Sequence, residues 1–410
     1  MDAPSTTGSA APRRGKRATL LRLAGPGAIV AIAYVDPGNV ATNVEAGARF
    51  GPALLWVVGL AALAGMLVQH LSAKLGVTTG RSLSELCRER YPRPLVGFLW
   101  AQAEVVAIAT DLAEIVGGAI ALNLLLGVPL LLGGTATALV GMLILGLRPE
   151  GRRHLASAFA LMLLALLAAF LYQAHAVGVA VVDIASGLRP TLAADGRGGV
   201  DPEAVLLATG IVGATVMPHV VYLHSALTRD PAVAPRRHRR DVVVSLTIAA
   251  VVNMSVLLVA AAALHVPGAE PVTTSIEGAF AALARYGSTT PTIFAGALLL
   301  AALASSCTGV HAGDAIMAGF LRRRIPVAVR RVVTTIPPLF VLAGDLDPTR
   351  ALVLSQVVLA IGLPFALVPL LHFTANRDLM GAGVNRTVTT VAGVVVSLAV
   401  TVLALALLVA

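Results

Sequence analysis

Charge is scarce in this chain. Asp, Glu, Lys and Arg make up only 12% of the 410 residues, against about 25% in soluble domains, while 57% are hydrophobic. That balance excludes a separate water-soluble domain and predicts an all-α polytopic membrane protein. Cysteine is nearly absent. Cys87 falls in a polar connection and Cys307 inside an apolar run, so a disulfide framework is excluded. None of the nine histidines precedes a glutamate, so there is no H-E-x-x-H zinc motif. Neither Lys16 nor Lys74 sits in a phosphate-binding loop, which argues against an ATP-driven pump. No enzymatic activity and no bound cofactor are expected. The first 24 residues lack a signal-peptide apolar core and read as a disordered cytoplasmic tail.

What is present is long apolar runs. Windows of about 20 apolar residues predict eleven transmembrane helices, at 25–48, 52–75, 95–123, 127–147, 154–176, 201–227, 241–264, 290–320, 328–344, 349–373 and 388–409. The net charge of +9 belongs to topology and not to a nucleic-acid partner. Of the 30 Lys and Arg, 25 fall on alternate connections together with the N-terminal tail, leaving only Arg49, Arg189, Arg197, Arg285 and Arg350 on the other side. By the positive-inside rule the N-terminus is cytoplasmic and, for an odd span count, the C-terminus is extracellular. The segment Ser82–Arg90 is amphipathic, with Leu83 and Leu86 on one face, and reads as a solvated interface helix.

Two apolar runs are interrupted. Asp36-Pro37-Gly38-Asn39 breaks the first span and Met217-Pro218-His219 the sixth. Proline and glycine break the helical ladder, and the freed backbone groups must then be buried in protein or line a cavity. Five spans follow from each break to the end of its half, so the second unit is inverted relative to the first. The expected organisation is a five-helix repeat at 25–176, an inverted repeat at 201–373 and an additional helix at 388–409. Facing breaks that carry a carboxylate, an amide, a thioether and an imidazole read as a mid-membrane cation site.

Asp36 has no Lys or Arg at its depth in its own span, which points to a metal or proton role. Asn39 fits either a helix N-cap or an oxygen ligand. Met217, directly before a helix-breaking proline, reads as a soft ligand that favours transition metals over Mg²⁺ and Ca²⁺. His219 fits coordination or proton relay, with His224 similarly open. Glu104, Asp111 and Glu114 share one helical stripe in the third span, with Arg330 and Arg331 as expected partners; either a relay or a structural ion-pair network fits. Glu45 and Arg49 read as a structural i,i+4 pair. The eighth span has a polar centre of Ser305, Ser306, Cys307, Thr308, His311 and Asp314, and Gln356 in the tenth either coordinates or cross-links helices.

The motifs Asp36-Pro-Gly-Asn39, Ala214-Thr-Val-Met217-Pro-His219, Ser355-Gln356-Val-Val-Leu, Leu363-Pro-Phe365 and His372-Phe-Thr-Ala-Asn-Arg377 together resemble the Nramp divalent-metal transporters, over essentially the whole chain. The resemblance implies a LeuT-type 5+5 inverted-repeat fold and proton-coupled uptake of Mn²⁺ and Fe²⁺ across the cell membrane. It implies Asp36, Asn39 and Met217 as side-chain metal ligands, backbone carbonyls from Ala33 and Ala214, and Gln356 as a ligand in some conformations. Asp36, His219, Glu104, Asp111, Glu114, Arg330 and Arg331 match positions linked to proton movement. Val310-His311-Ala-Gly-Asp314 departs from the family pattern, which ends in glutamine there. The partners expected are divalent metal ions, protons and the lipid bilayer, with no obligatory protein partner. The alternatives are an Mg²⁺-transporting variant, against which Met217 argues, and an Na⁺-driven amino-acid symporter, whose substrate carboxylate Asp36 would repel.

Overall fold

The computed structural model describes residues 25–146, 152–191, 200–229, 235–266, 271, 273–321, 326–344 and 346–409. The expected tail at 1–24 lies outside the described residues. The described chain is helical, without a β-strand: α1 (Pro26–Ala33), α2 (Pro37–Phe50), α3 (Leu55–Thr79), α4 (Leu83–Arg90), α5 (Arg93–Leu126), α6 (Leu130–Gly146), α7 (Arg152–Ala176), α8 (Val181–Gly187), α9 (Pro202–Thr215), α10 (Pro218–Leu227), α11 (Pro235–Leu264), α12 (Ile276–Leu283), α13 (Thr290–Leu321), α14 (Val327–Ala343), α15 (Pro348–Ala375), α16 (Arg377–Met380) and α17 (Thr387–Val409). Helices occupy every segment read as a span. Among the described residues, eight helical stretches are long and apolar enough to cross a bilayer, with α2 and α3 counted together as Pro37–Thr79. The apolar part of α6, Leu130–Leu143, and the 17-residue α14 are shorter.

The two interruptions produce the same local structure. Pro37 opens α2 and Pro218 opens α10, each at a position where the missing N–H costs nothing. The residue before each proline is extended, as a following proline requires: Asp36 has ψ 169° and Met217 has ψ 121°. Asp36 caps α2 by accepting from the Asn39 backbone N–H at 2.8 Å. The two broken helices run in opposite directions. Glu45, near the end of α2, meets Arg350 at 3.5 Å, and the same guanidinium holds Glu203, in the first turn of α9, at 2.6 Å. At the other end, Arg229 beyond α10 pairs with Glu85 of α4 at 2.9 Å. The chain thus crosses upward through α1 and α2 and returns through α9 and α10.

Around this pair, α5 packs on α13, α15, α6 and α14, while α11 packs on α2, α3, α7 and α1. Small residues bring the helix backbones close. A Cβ at Gly213 would strike the backbone carbonyl of Gln356, and one at Gly117 would strike Pro37, so α15 and α5 press directly against the two breaks.

One expectation is corrected. α4 is not a solvated surface helix, because Leu83, Ser84, Leu86 and Cys87 are all buried. Its first N–H, from Leu83, donates to Ser225 Oγ of α10 at 3.0 Å, and Arg88 donates to the carbonyl of Gly319 at the end of α13. The apolar stripe meets protein instead of a membrane surface, and the polar edges satisfy backbone groups of two other helices.

Candidate functional site

The helix breaks free two carbonyls in matching positions. An α-helical carbonyl accepts from the N–H four residues on. Ala33 is followed four residues later by Pro37, and Ala214 by Pro218, and neither proline has an N–H to give. The Ala214 carbonyl instead accepts from Asn39 Nδ2 at 2.9 Å, and the same Nδ2 donates to Asp36 Oδ1 at 2.8 Å. One amide therefore bridges the two broken helices through acceptors contributed by each. Asp36, Asn39, Ala33, Ala214 and Met217 are all at most 1% exposed. The second carboxylate oxygen, Asp36 Oδ2, has no hydrogen-bond partner, and no Lys or Arg ion pair among the described residues includes Asp36. An unpaired carboxylate oxygen at such depth carries a large desolvation penalty and calls for a cation.

Gln356 closes the side facing α15. Its Nε2 donates to Ser355 Oγ at 2.9 Å, its Oε1 has no partner, and Gly38 lies so close that a Cβ there would collide with its amide. Across the described residues no three His, Cys, Asp or Glu side chains gather into a conventional metal centre. The donors available at the breaks are instead one carboxylate, two amides, one thioether and freed carbonyls.

A second polar assembly runs beside the first, along α5. Offsets of 7 and 3 put Glu104, Asp111 and Glu114 on one stripe facing α13 and α14. Each has a basic or hydroxyl partner. Glu104 meets Arg330 at 3.3 Å, Asp111 meets Arg331 at 2.6 Å, and Glu114 lies 3.8 Å from Arg331 while accepting from Ser305 Oγ at 3.0 Å. Arg331, 2% exposed, also donates to Ser306 Oγ. His219, two residues past Met217, reaches this ladder through Nδ1, 3.2 Å from Thr110 Oγ1; its Nε2 has no partner. Thr110 thus stands between the breaks and the ladder, a residue that pattern reading passed over although it adjoins Asp111.

Other placements differ from the reading of the sequence. Of the polar group on α13, Ser305, Ser306, Cys307 and Thr308 are buried, but His311 is exposed and Asp314 only partly covered. Glu45 does pair with Arg49 at 3.1 Å, yet it belongs to a larger cluster that also holds Arg350 and Glu203. His224 lies off the breaks, with Nδ1 2.9 Å from Gln69 Oε1, and Gln69 Nε2 in turn donates to Tyr34 Oη at 2.8 Å. Asn253 of α11, also unanticipated, donates to the Tyr34 carbonyl at 2.7 Å and so supports the unwound segment.

Two antiparallel broken helices, packed on small residues and enclosing an unpaired carboxylate, define a multi-pass membrane transporter. Its fold is shared, at a TM-score of 0.60 and 14% identity, with the structure of MhsT in complex with L-phenylalanine, over 93% of this chain and 97% of that one. The chain belongs to the Nramp family: the model of that family, described as natural resistance-associated macrophage protein-like, matches residues 27–410. It is 47% identical over 406 residues to the divalent metal cation transporter MntH of Deinococcus radiodurans, covering 95% of this chain and 89% of that protein. It is 45% identical over 379 residues to MntH of Pectobacterium carotovorum, covering 91% and 90%. A mutant of the Eremococcus coleocola manganese transporter superimposes with a TM-score of 0.83 at 32% identity, over 98% of this chain and 88% of that one.

Proposed function

We propose that this protein is a secondary active transporter that takes up divalent transition-metal ions, Mn²⁺ and Fe²⁺ foremost, together with protons, by alternating access across the cell membrane. The observation that carries the reading is the unpaired Asp36 carboxylate at the meeting point of two proline-broken helices, within hydrogen-bond reach of Asn39, which also holds the Ala214 carbonyl. A dication there replaces the Asn39 N–H groups as the bridge between Asp36 and Ala214. Turning the Asn39 amide about its terminal bond presents its oxygen in their place. Ala33 contributes a carbonyl, Met217 the sulfur that prefers softer metals, and Gln356 an oxygen that is free of other bonds. Met217 disfavours the Mg²⁺ variant, and the negative charge of Asp36 disfavours an amino-acid carboxylate at the same point. The relatives named as divalent metal cation and manganese transporters support the same substrate class.

Proton movement belongs to the neighbouring ladder. His219 and Thr110 lead from the breaks to Glu114, Asp111 and Arg331, and these lead to Glu104 and Arg330, nearer the α4 end. In this reading eleven helices cross the membrane, in repeats at 25–176 and 201–373 with a further helix at 388–409. The α4 end faces the cytoplasm with the N-terminus, the C-terminus is outside, and the chain carries cargo without transforming it. Purified protein in liposomes, given Mn²⁺, Mg²⁺ or an amino acid with and without an inward pH gradient, tests this directly. The expected result is Mn²⁺ uptake stimulated by the gradient; uptake of Mg²⁺ or an amino acid in its place overturns the reading.

A further inference from the structure

We propose that Asp314 on α13 is the terminal proton acceptor of the ladder, taking protons from Asp111 and releasing them to water at the α4 end. The inference rests on the proton-coupled reading above and adds to it a residue that reading does not use. A cleft between α5, α13 and α14 is lined by Asp111, Asp314, Arg330 and Arg331, with Val310, Met317 and Thr334 as its less polar walls. Gly313 holds the backbone of α13 directly against the Arg330 guanidinium, where a Cβ would not fit, so the next residue, Asp314, is fixed at the cleft by the same close approach. Within the cleft, the Arg331 Nε is buried and has no hydrogen-bond partner.

Charge counting gives Asp314 its role. Two guanidinium groups, on Arg330 and Arg331, serve the three acids of α5, and Asp314 makes a fourth. None of the ion pairs among the described residues includes Asp314. A carboxylate that no guanidinium holds, partly open at the cleft it shares with Asp111, is the member of this set placed to pass protons outward. Accessibility then orders the set. Glu114 is fully buried, Asp111 is 7% exposed at its side chain, and Asp314 is partly open. A proton on the Asp111 carboxyl leaves its O–H bond and crosses the cleft that both side chains line, an O–H bond forms on the Asp314 carboxylate, and Asp314 then gives that proton to water. The other charged groups around it are Glu104 of α5, His311 on its own helix, and Glu85 and Arg88 on α4. Glu104 pairs with Arg330, Glu85 with Arg229, and Arg88 with the carbonyls of Ala318 and Gly319, while His311, three residues away on the same helix, interacts electrostatically with Asp314. Asp314 is the acid of this group that no guanidinium holds.

The test uses the full chain in proteoliposomes, with Mn²⁺ uptake and internal acidification followed together over a range of external pH. Asp314→Asn keeps size and polarity but cannot carry a proton, and Asp314→Glu restores the carboxylate. The expected result is Mn²⁺ uptake by Asp314→Asn within about twofold of wild type, Mn²⁺-dependent proton entry lowered by about tenfold, a flattened pH profile, and recovery of both in Asp314→Glu. Wild-type proton entry and pH profile in Asp314→Asn overturn the assignment. Equal loss in the Asn and Glu variants overturns it too, since shape and not the proton would then matter. Wild-type Mn²⁺ uptake without proton entry removes this assignment and the coupled reading but leaves the metal site standing, whereas no wild-type Mn²⁺ uptake removes the transport reading itself.

Discussion

The cradle at the helix breaks and the ladder on α5 lie side by side and treat buried acids in opposite ways. Asp36 is held by neutral donors, the backbone and side-chain N–H groups of Asn39, and keeps one oxygen unpaired. Asp111 and Glu114 are equally deep but share a permanent cation, Arg331, and hydroxyl support reaches the pair through Ser305 and Ser306. A site that exchanges a dication cannot afford a resident arginine, because the arginine would compete for the same carboxylate. A proton path has the reverse need, since a fixed positive charge keeps closely spaced acids from repelling one another as protons come and go. On the proposed reading, charge pairing separates the substrate site from the relay, even though both are built from buried carboxylates in the same bundle.

The largest effect expected from breaking this contrast is on stability. Arg331→Ala leaves Asp111 and Glu114 buried without a cation, and should destabilise the fold by about 3–5 kcal/mol. Asp36→Asn removes an already unpaired, costly charge and should leave the metal-free protein at least as stable as wild type. Thermal unfolding of both variants in detergent without metal checks the pair; equal loss of stability in the two would erase the distinction.

A second effect falls on coupling. Asp111→Asn should retain Mn²⁺ transport but lose most of its dependence on external pH, because the variant keeps the shape of the ladder and loses a proton carrier. Uptake measured across a pH series decides this, and a profile identical to wild type would make the ladder a structural ion-pair network.

The smallest effect concerns selectivity. Among the donors at the breaks, Met217 is the soft one in the proposed ligand set, while the oxygen donors suit Ca²⁺ and Mg²⁺ equally well. Met217→Ala should lower Mn²⁺ uptake by only about threefold while letting excess Ca²⁺ compete far better. The measurement is Mn²⁺ uptake against rising Ca²⁺ in both proteins, and unchanged resistance to Ca²⁺ would assign selectivity to cavity size or dehydration.

The breaks were legible because their cause is local: Asp36-Pro37-Gly38 and Met217-Pro218 interrupt apolar runs, and proline acts on the carbonyl four residues before it. The acidic stripe of α5 was legible for the same reason, since helical periodicity places Glu104, Asp111 and Glu114 together. What joins the two regions was not. The Thr110–His219 contact, the Ser305–Glu114 bond and the support of Tyr34 by Asn253 each link helices far apart in the chain, and no local pattern encodes which helices pack. The α4 stripe announced that Leu83 and Leu86 would be covered but not by what, because amphipathicity does not distinguish a membrane surface from the flanks of α10 and α13. On α13 the run of polar residues looked continuous, yet His311 falls off the stripe that carries Ser305 and Ala312, seven residues apart, and turns outward.

The most direct test of the contrast between cradle and ladder is a calorimetric Mn²⁺ titration of wild type, Asp36→Asn and Asp111→Asn at one pH. Asp36→Asn should bind at least about tenfold more weakly, since the lost ion–carboxylate contact exceeds about 1.4 kcal/mol. Asp111→Asn should stay within about twofold of wild type, because its carboxylate is committed to Arg331. Wild-type affinity in a folded Asp36→Asn protein, or equal weakening in both variants, would contradict the assignment of the unpaired acid to the metal and of the paired acids to the proton.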